Sequence, residues 1–128
     1  MSYRVYISHT FKDSELARDL KRRLREAGVT VSAAESAEPG EDFSLYIKNS
    51  LRSADEVVVL LTDSSVNSSW LLYEIGAADS LDKRVTPILV NEGAELLPQI
   101  SGRQLVRYAD LPKYISSLKR RAKAAKAA

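Results

Sequence analysis

Five consecutive apolar residues, Val57 to Leu61 (VVVLL), constrain this chain more than any other feature of its sequence. The run is β-branched at its start and has no polar alternation, which suits a strand buried on both faces of a parallel sheet. Parallel strands need long crossover connections, usually helices, and the flanking sequence supplies them. Residues 3 to 7 (YRVYI) read as a strand, with polar Ser8, His9 and Thr10 following as a loop. Leu16, Leu20, Leu24 and Ala27 then recur at helical spacing; Asp13 can cap the start, and Gly28 can end the helix in a left-handed conformation. Val29 to Ser32 reads as a second strand. The polar stretch 33 to 41, punctuated by Pro39 and Gly40, is a long loop before a helix bearing Phe43, Ile47 and Leu51. Past the apolar run, TDSSVNSS leads into WLLYEIGAADSL, a helix on which Trp70, Glu74 and Ala77 or Ala78 share one face. Residues 84 to 90 (RVTPILV) form a fourth strand in which Pro87, lacking a donor, favours an edge or a bulge. An irregular link over 91 to 102 precedes a short fifth strand, 104 to 108. The last helix starts at Asp110, with Tyr114, Ile115 and Leu118 facing inward, and its apolar stripe is lost from about Arg121.

Five strands alternating with helices predict an α/β fold: a three-layer, doubly wound, five-stranded parallel sheet of flavodoxin-like order 2-1-3-4-5. The chain of 128 residues fits one domain over 1 to 120, with 121 to 128 as a basic, frayed tail. The total charge is +2, but residues 113 to 128 hold six basic groups and no acid; residues 1 to 112, with 13 basic and all 17 acidic groups, are mildly acidic, and nucleic acid is not expected as a partner. The absence of cysteine excludes disulfides, thiolate nucleophiles and cysteine-ligated metals, and a single histidine argues against a histidine-rich metal site. No apolar stretch approaches 18 residues and the N-terminus opens a strand, so a cytoplasmic protein without membrane partners is expected.

In such a fold, ligands sit beyond the carboxyl ends of the strands where the strand order reverses, here between the first and third. The loops 8 to 12, 33 to 42 and 62 to 69 face that crevice. Glu74 stands one turn inside the helix that opens there, on the face of Trp70; a carboxylate with restricted solvent could stabilise a cation while the indole stacks on a planar ligand. Equally, Trp70 could be core and Glu74 a residue favoured at the positive end of a helix. Ser8, His9 and Thr10 could hold phosphate or ribose, or form a polar turn with no ligand. The scattered glycines rule out a phosphate loop or a dinucleotide fingerprint. Ser64, Ser65, Ser68 and Ser69 could be paired with His9, but no nucleophile elbow is present. A phosphoacceptor receiver is disfavoured too, because serine and histidine follow the first strand where an acidic pair is needed and Asp63 stands alone.

Taken together, VYISHTFKDSELARDLKRRLREAGVTV, PGEDFSLYIKNSLRSADEVVVLLTDSSVNSSW and WLLYE, which fits W-x-x-x-E, resemble a TIR (Toll/interleukin-1 receptor) domain of the bacterial type over roughly residues 3 to 120. The resemblance implies cleavage of the bond between nicotinamide and ribose in NAD, giving nicotinamide with ADP-ribose or a cyclic isomer. It assigns Glu74 as the catalytic glutamate and Trp70 as the tryptophan of the same motif. It puts Ser8 and His9 in the nucleotide pocket and implies that Phe43 or Tyr46 contacts ligand or a neighbouring protomer. NAD is then substrate, and no cofactor is implied. Family members commonly assemble, the mobile loop after the second strand, here 33 to 42, completing the pocket of the next copy. With the length consumed by the fold, a separate sensor or effector chain is expected to switch the domain on, in an antiphage or signalling role.

The chemistry suits one carboxylate. Nicotinamide leaves a pyridinium as a neutral group, so the barrier lies in the oxocarbenium-like ribose, which a carboxylate can stabilise. Two other readings share these residues. WLLYEIGAA also resembles the glutamate helix of deoxyribosyltransferase-like enzymes that cleave nucleosides, and many TIR domains are non-enzymatic modules that bind other TIR domains.

Overall fold

The computed structural model describes residues 2–34, 40, 42–91, 93, 103 and 105–127. Its sheet contains β1 (Arg4–Ser8), β2 (Thr30–Ala33), β3 (Glu56–Leu61), β4 (Arg84–Leu89) and β5 (Val106–Arg107), all parallel, in the order β2-β1-β3-β4-β5. Helices α1 (Ser14–Glu26) and α4 (Leu111–Ala127) cover one face; α2 (Phe43–Ser53) and α3 (Ser69–Ser80) cover the other. This is the three-layer architecture expected from the alternation of strands and helices.

The apolar run explains the layering. Val58 and Leu60 enter the core under α1 and α4, whereas Val57, Val59 and Leu61 enter the core under α2 and α3. Every residue of β3 is buried, so no position on the strand could be polar without an internal partner. The one that is polar, Glu56, has four. Tyr3 donates to its Oε1 at 2.7 Å, Thr86 to its Oε2 at 2.7 Å and the Tyr114 hydroxyl also to Oε2, while the Arg121 guanidinium lies 3.1 Å from Oε1. Burial, reinforced by the Glu56 charge, holds the Tyr3 and Tyr114 hydroxyls protonated well above the usual tyrosine range.

Several local expectations change. The last helix does not fray at Arg121: it continues to Ala127, with Ala122 buried and Arg121 turned inward to Glu56. The fifth strand is confined to two residues. Pro87 lies inside β4 rather than in an edge strand, but β5 pairs only with Ile88 and Leu89, so Pro87 precedes the part of β4 flanked on both sides. Gly28 does close α1 with φ +92°, a conformation that favours glycine. Asp13 precedes α1 without capping it, because its carboxylate is engaged elsewhere. Most of the 33–42 loop and of the 91–102 link lies outside the described residues. Among the described residues, no helix is long and apolar enough to cross a membrane.

Candidate active site

Strand alternation sets one wall of the site. Tyr6 and Ser8 are two residues apart on β1 and both project toward the α2–α3 layer, while Val5 and Ile7 project to the opposite core. The other wall is α3, whose start is fixed by Ser68: its hydroxyl accepts the Leu71 N–H at 3.2 Å. Trp70 therefore falls in the first turn and Glu74 one turn later, against the carboxyl end of β1.

Glu74 has no exposed surface. Ser8 Oγ donates to Oε1 at 2.6 Å, and the Tyr6 hydroxyl donates to Oε2. Burial pushes this carboxyl up from 4.5 to about 7, although the hydrogen bonds from Ser8 and Tyr6, the His9 charge and the Trp70 side chain all act in the other direction. Desolvation wins. The result is a carboxyl group that changes charge near neutral pH, aimed between two hydroxyls at the carboxyl end of the sheet.

The loop after β1 is cross-braced rather than open. His9 is buried and its Nδ1 donates to the Thr10 carbonyl at 2.7 Å. Thr10 Oγ1 donates to Asp13 Oδ2 at 2.7 Å, and Thr62 Oγ1, just past β3, donates to the same oxygen at 2.6 Å. Asp13 thus ties the ends of β1 and β3 together across the order reversal. Ser65 tightens the β3 side, accepting the Thr62 N–H at 2.9 Å and donating to the Thr62 carbonyl at 2.8 Å. Thr10 spends its hydroxyl on this brace instead of presenting it to a ligand.

Aromatic rings lie over the start of α3. Phe43 stacks on Trp70 with centroids 5.7 Å apart and planes 21° from parallel, and Tyr73 lies 5.7 Å away on a tilt of 34°. The expected free indole face is therefore engaged by Phe43. Tyr46 sits apart from Glu74: its hydroxyl donates to the Ala33 carbonyl at 3.2 Å, and its ring lines a groove of about 230 Å³ between α2 and the β1–β2 edge. On the same helix a Cβ at Gly76 would meet nothing within 4 Å, whereas Ala78 is buried.

Of the residues singled out from sequence, the structure brings Ser8 onto Glu74, Trp70 and His9 beside it, Phe43 onto Trp70, and Thr10 onto the brace. Sequence reasoning missed Tyr6, Asp13 as a brace, Thr62 and Ser65. Tyr6 left a signal: it lies two residues before Ser8 on the same strand, and a buried tyrosine hydroxyl requires a partner.

This crevice, this strand order and these motifs coincide with a family match: the TIR domain profile fits residues 5–124. The chain belongs to the TIR-domain family. A curated relative of this TIR domain, a putative cyclic ADP-D-ribose synthase TIR2 from Cytobacillus dafuensis, is 22% identical over 101 residues, covering 73% of this chain and 27% of the relative. The TIR domain here thus spans little more than a quarter of that relative, 27% of its length. Among solved structures, the TIR domain of the Toll-related receptor TRR-2 from Hydra magnipapillata superposes with a TM-score of 0.78 at 17% identity, covering 93% of this chain and 97% of that one. A 2-desoxiribosyltransferase from Leishmania mexicana superposes with a TM-score of 0.65 at 12% identity, covering 89% and 97% respectively. These two likenesses concern the fold.

Proposed function

We propose that this TIR domain cleaves the nicotinamide–ribose bond of NAD, with Glu74 as the catalytic carboxylate. The observation that carries the reading is Glu74 itself: a fully buried acid on α3, held by Ser8 and Tyr6 at the carboxyl end of β1. Glu56 is buried as well, but Glu74 differs in lying at the carboxyl ends of the strands, where ligands bind in this fold, with its carboxyl pushed toward neutrality. The match to a putative cyclic ADP-D-ribose synthase supports the substrate class and the bacterial-type assignment.

In this reading the C1′–N bond breaks with its electron pair going to the pyridinium nitrogen, so nicotinamide departs neutral. Ionised Glu74 stabilises the positive charge that develops on the ribose. Water then forms the new C1′–O bond and yields its proton to the carboxylate or solvent, giving ADP-ribose; an internal nucleophile gives a cyclic isomer instead. Ser8 and Tyr6 orient the carboxylate, and His9 and Trp70 flank it.

Because Glu74 is wholly covered, ribose reaches it only after the Phe43–Trp70 stack or the Ser8 side moves. That requirement supports activation by assembly, in which a neighbouring copy displaces α2 and completes the pocket with its 33–42 loop. It also suits a domain switched on by a sensor chain, in an antiphage or signalling role.

The test is nicotinamide release from NAD by the wild-type chain and by Glu74→Gln, with products separated into ADP-ribose and cyclic isomers. Release by the wild type and none by the variant is expected. Equal release by both refutes the role of Glu74. The likeness to a nucleoside-processing enzyme favours one alternative, so a nucleoside panel is run in parallel; base release from nucleosides with NAD untouched transfers the reading to that substrate. Association with other TIR domains that Glu74→Gln leaves intact, with no release from either substrate even in the assembled state, favours an interaction module.

A further inference from the structure

The charge of this molecule is concentrated in one layer of the fold. Helix α1 carries five basic and three acidic residues; α4, some ninety residues later, carries six basic and no acidic ones. The two helices lie in one layer, their apolar stripes sharing a single core and their junction lined by Arg23, Glu26, Pro112, Ile115 and Lys119. That layer is net +8, against −6 for the remainder of a chain whose total is +2. Arg121 is the basic residue of α4 committed inward, to Glu56. On α1, Asp19 and Glu26 both bind Arg22, at 2.6 Å and 3.2 Å, and so converge on one guanidinium. Arg18, Arg25, Lys119, Lys123 and Lys126 stand exposed around them.

We propose that the α1–α4 face is a docking surface for anionic membrane lipid, held electrostatically and without insertion. The shape favours a planar partner. At 1.5 Å per residue the helices are about 20 and 25 Å long, and side by side, at about 10 Å between axes, they give a face about 20 Å wide, broader than the roughly 12 Å major groove. Nor do its helices offer exposed aromatic rings for base stacking: α1 has none, and the single aromatic of α4, Tyr114, is buried. Both leucines of α4 are buried and its exposed positions are largely cationic, so α4 offers charge to a bilayer rather than a leucine to insert. Adsorption here leaves the site accessible, because Tyr6, Ser8 and Glu74 belong to the opposite layer of the sheet.

The experiment measures partitioning of the full chain onto vesicles of phosphatidylcholine with 30% phosphatidylglycerol and onto pure phosphatidylcholine, at 50 and 300 mM NaCl. Binding to the anionic vesicles alone, weakened at high salt, is expected. Each surface cation removed lowers the partition coefficient about five-fold, so Lys119→Gln/Lys123→Gln lowers it about 25-fold. Arg18→Gln/Arg25→Gln, on the other helix, gives a similar loss, and Lys48→Gln on α2 leaves binding unchanged. These exposed substitutions keep the wild-type melting profile. Equal binding to neutral vesicles, no binding, or a loss confined to one helix overturns the proposal. So does tighter binding to a 20-base-pair DNA duplex at the same phosphate concentration, which transfers the surface to nucleic acid.

Discussion

Replacing Glu74 by glutamine should make this protein more resistant to alkaline conditions, and the size of the effect follows from the geometry. The Glu74 carboxyl is pushed from 4.5 to about 7 by burial, so between those values the folded chain binds a proton that the unfolded chain has released. Its contribution is fully present below about pH 4.5 and is lost as pH rises through 7, where the buried group must ionise at its own cost. For these two values, the linkage relation gives a loss of about 2.5 kcal/mol for the wild type on going from pH 5 to pH 8. Glutamine has the same shape and no titration. It leaves Tyr6 and Ser8 competing for one carbonyl oxygen, a cost of about 1 kcal/mol that does not vary with pH. Urea unfolding of both proteins at pH 5 and pH 8 isolates the term, since all other titrating groups are shared. The two proteins should be nearly equal in stability at pH 5 and the variant the more stable by about 2.4 kcal/mol at pH 8, a difference of differences near 2.5 kcal/mol. Parallel behaviour of the two proteins across that range would refute the buried, proton-binding state of Glu74.

Other consequences follow from the same contacts. If ionised Glu74 is catalytic, NAD cleavage should rise about tenfold per pH unit below 7 and level off above it; a flat profile from pH 5.5 to 8 counts against the carboxylate. Tyr6→Phe removes a donor that favours the ionised form, which shifts that rise upward by about one pH unit, measured as the midpoint of the rate profile. Arg121→Ala leaves Glu56 buried without its cation and should cost about 3 to 5 kcal/mol in urea unfolding, whereas a loss below 1 kcal/mol would make the pair incidental. If assembly opens the pocket, specific activity should climb with protein concentration; strict proportionality from nanomolar to micromolar protein contradicts that requirement.

How far the site could be read in advance differs residue by residue. Glu74 and Trp70 stand in one short motif, so helical spacing alone put them together. Ser8 is 66 positions from Glu74, yet its place at the end of the first strand, beside the order reversal, was enough to nominate it. Tyr6 was lost because an aromatic in an apolar strand looks like core, and nothing local distinguishes a tyrosine whose hydroxyl is used. Asp13 misled for the opposite reason: aspartate before a helix has a ready local role as a cap, and its engagement by Thr62, 49 residues away, has no local trace. The Glu56 cluster was hidden in the same way, its partners Tyr3, Thr86, Tyr114 and Arg121 being drawn from four separate segments.

By itself, then, the sequence determined the layered architecture and the strand order, because periodicity, apolar runs and crossover handedness are properties of short segments and chain connectivity. It also nominated the place of a candidate site, at the carboxyl ends of β1 and β3. Only the tertiary structure decided the charge states and the surfaces. Whether Glu74 titrates near neutrality depends on which groups exclude water from it. Whether the cations of two helices far apart in sequence share one layer depends on α1 and α4 settling side by side. Burial and electrostatic fields act through space between residues far apart along the chain, and no stretch of sequence holds both partners of such an interaction.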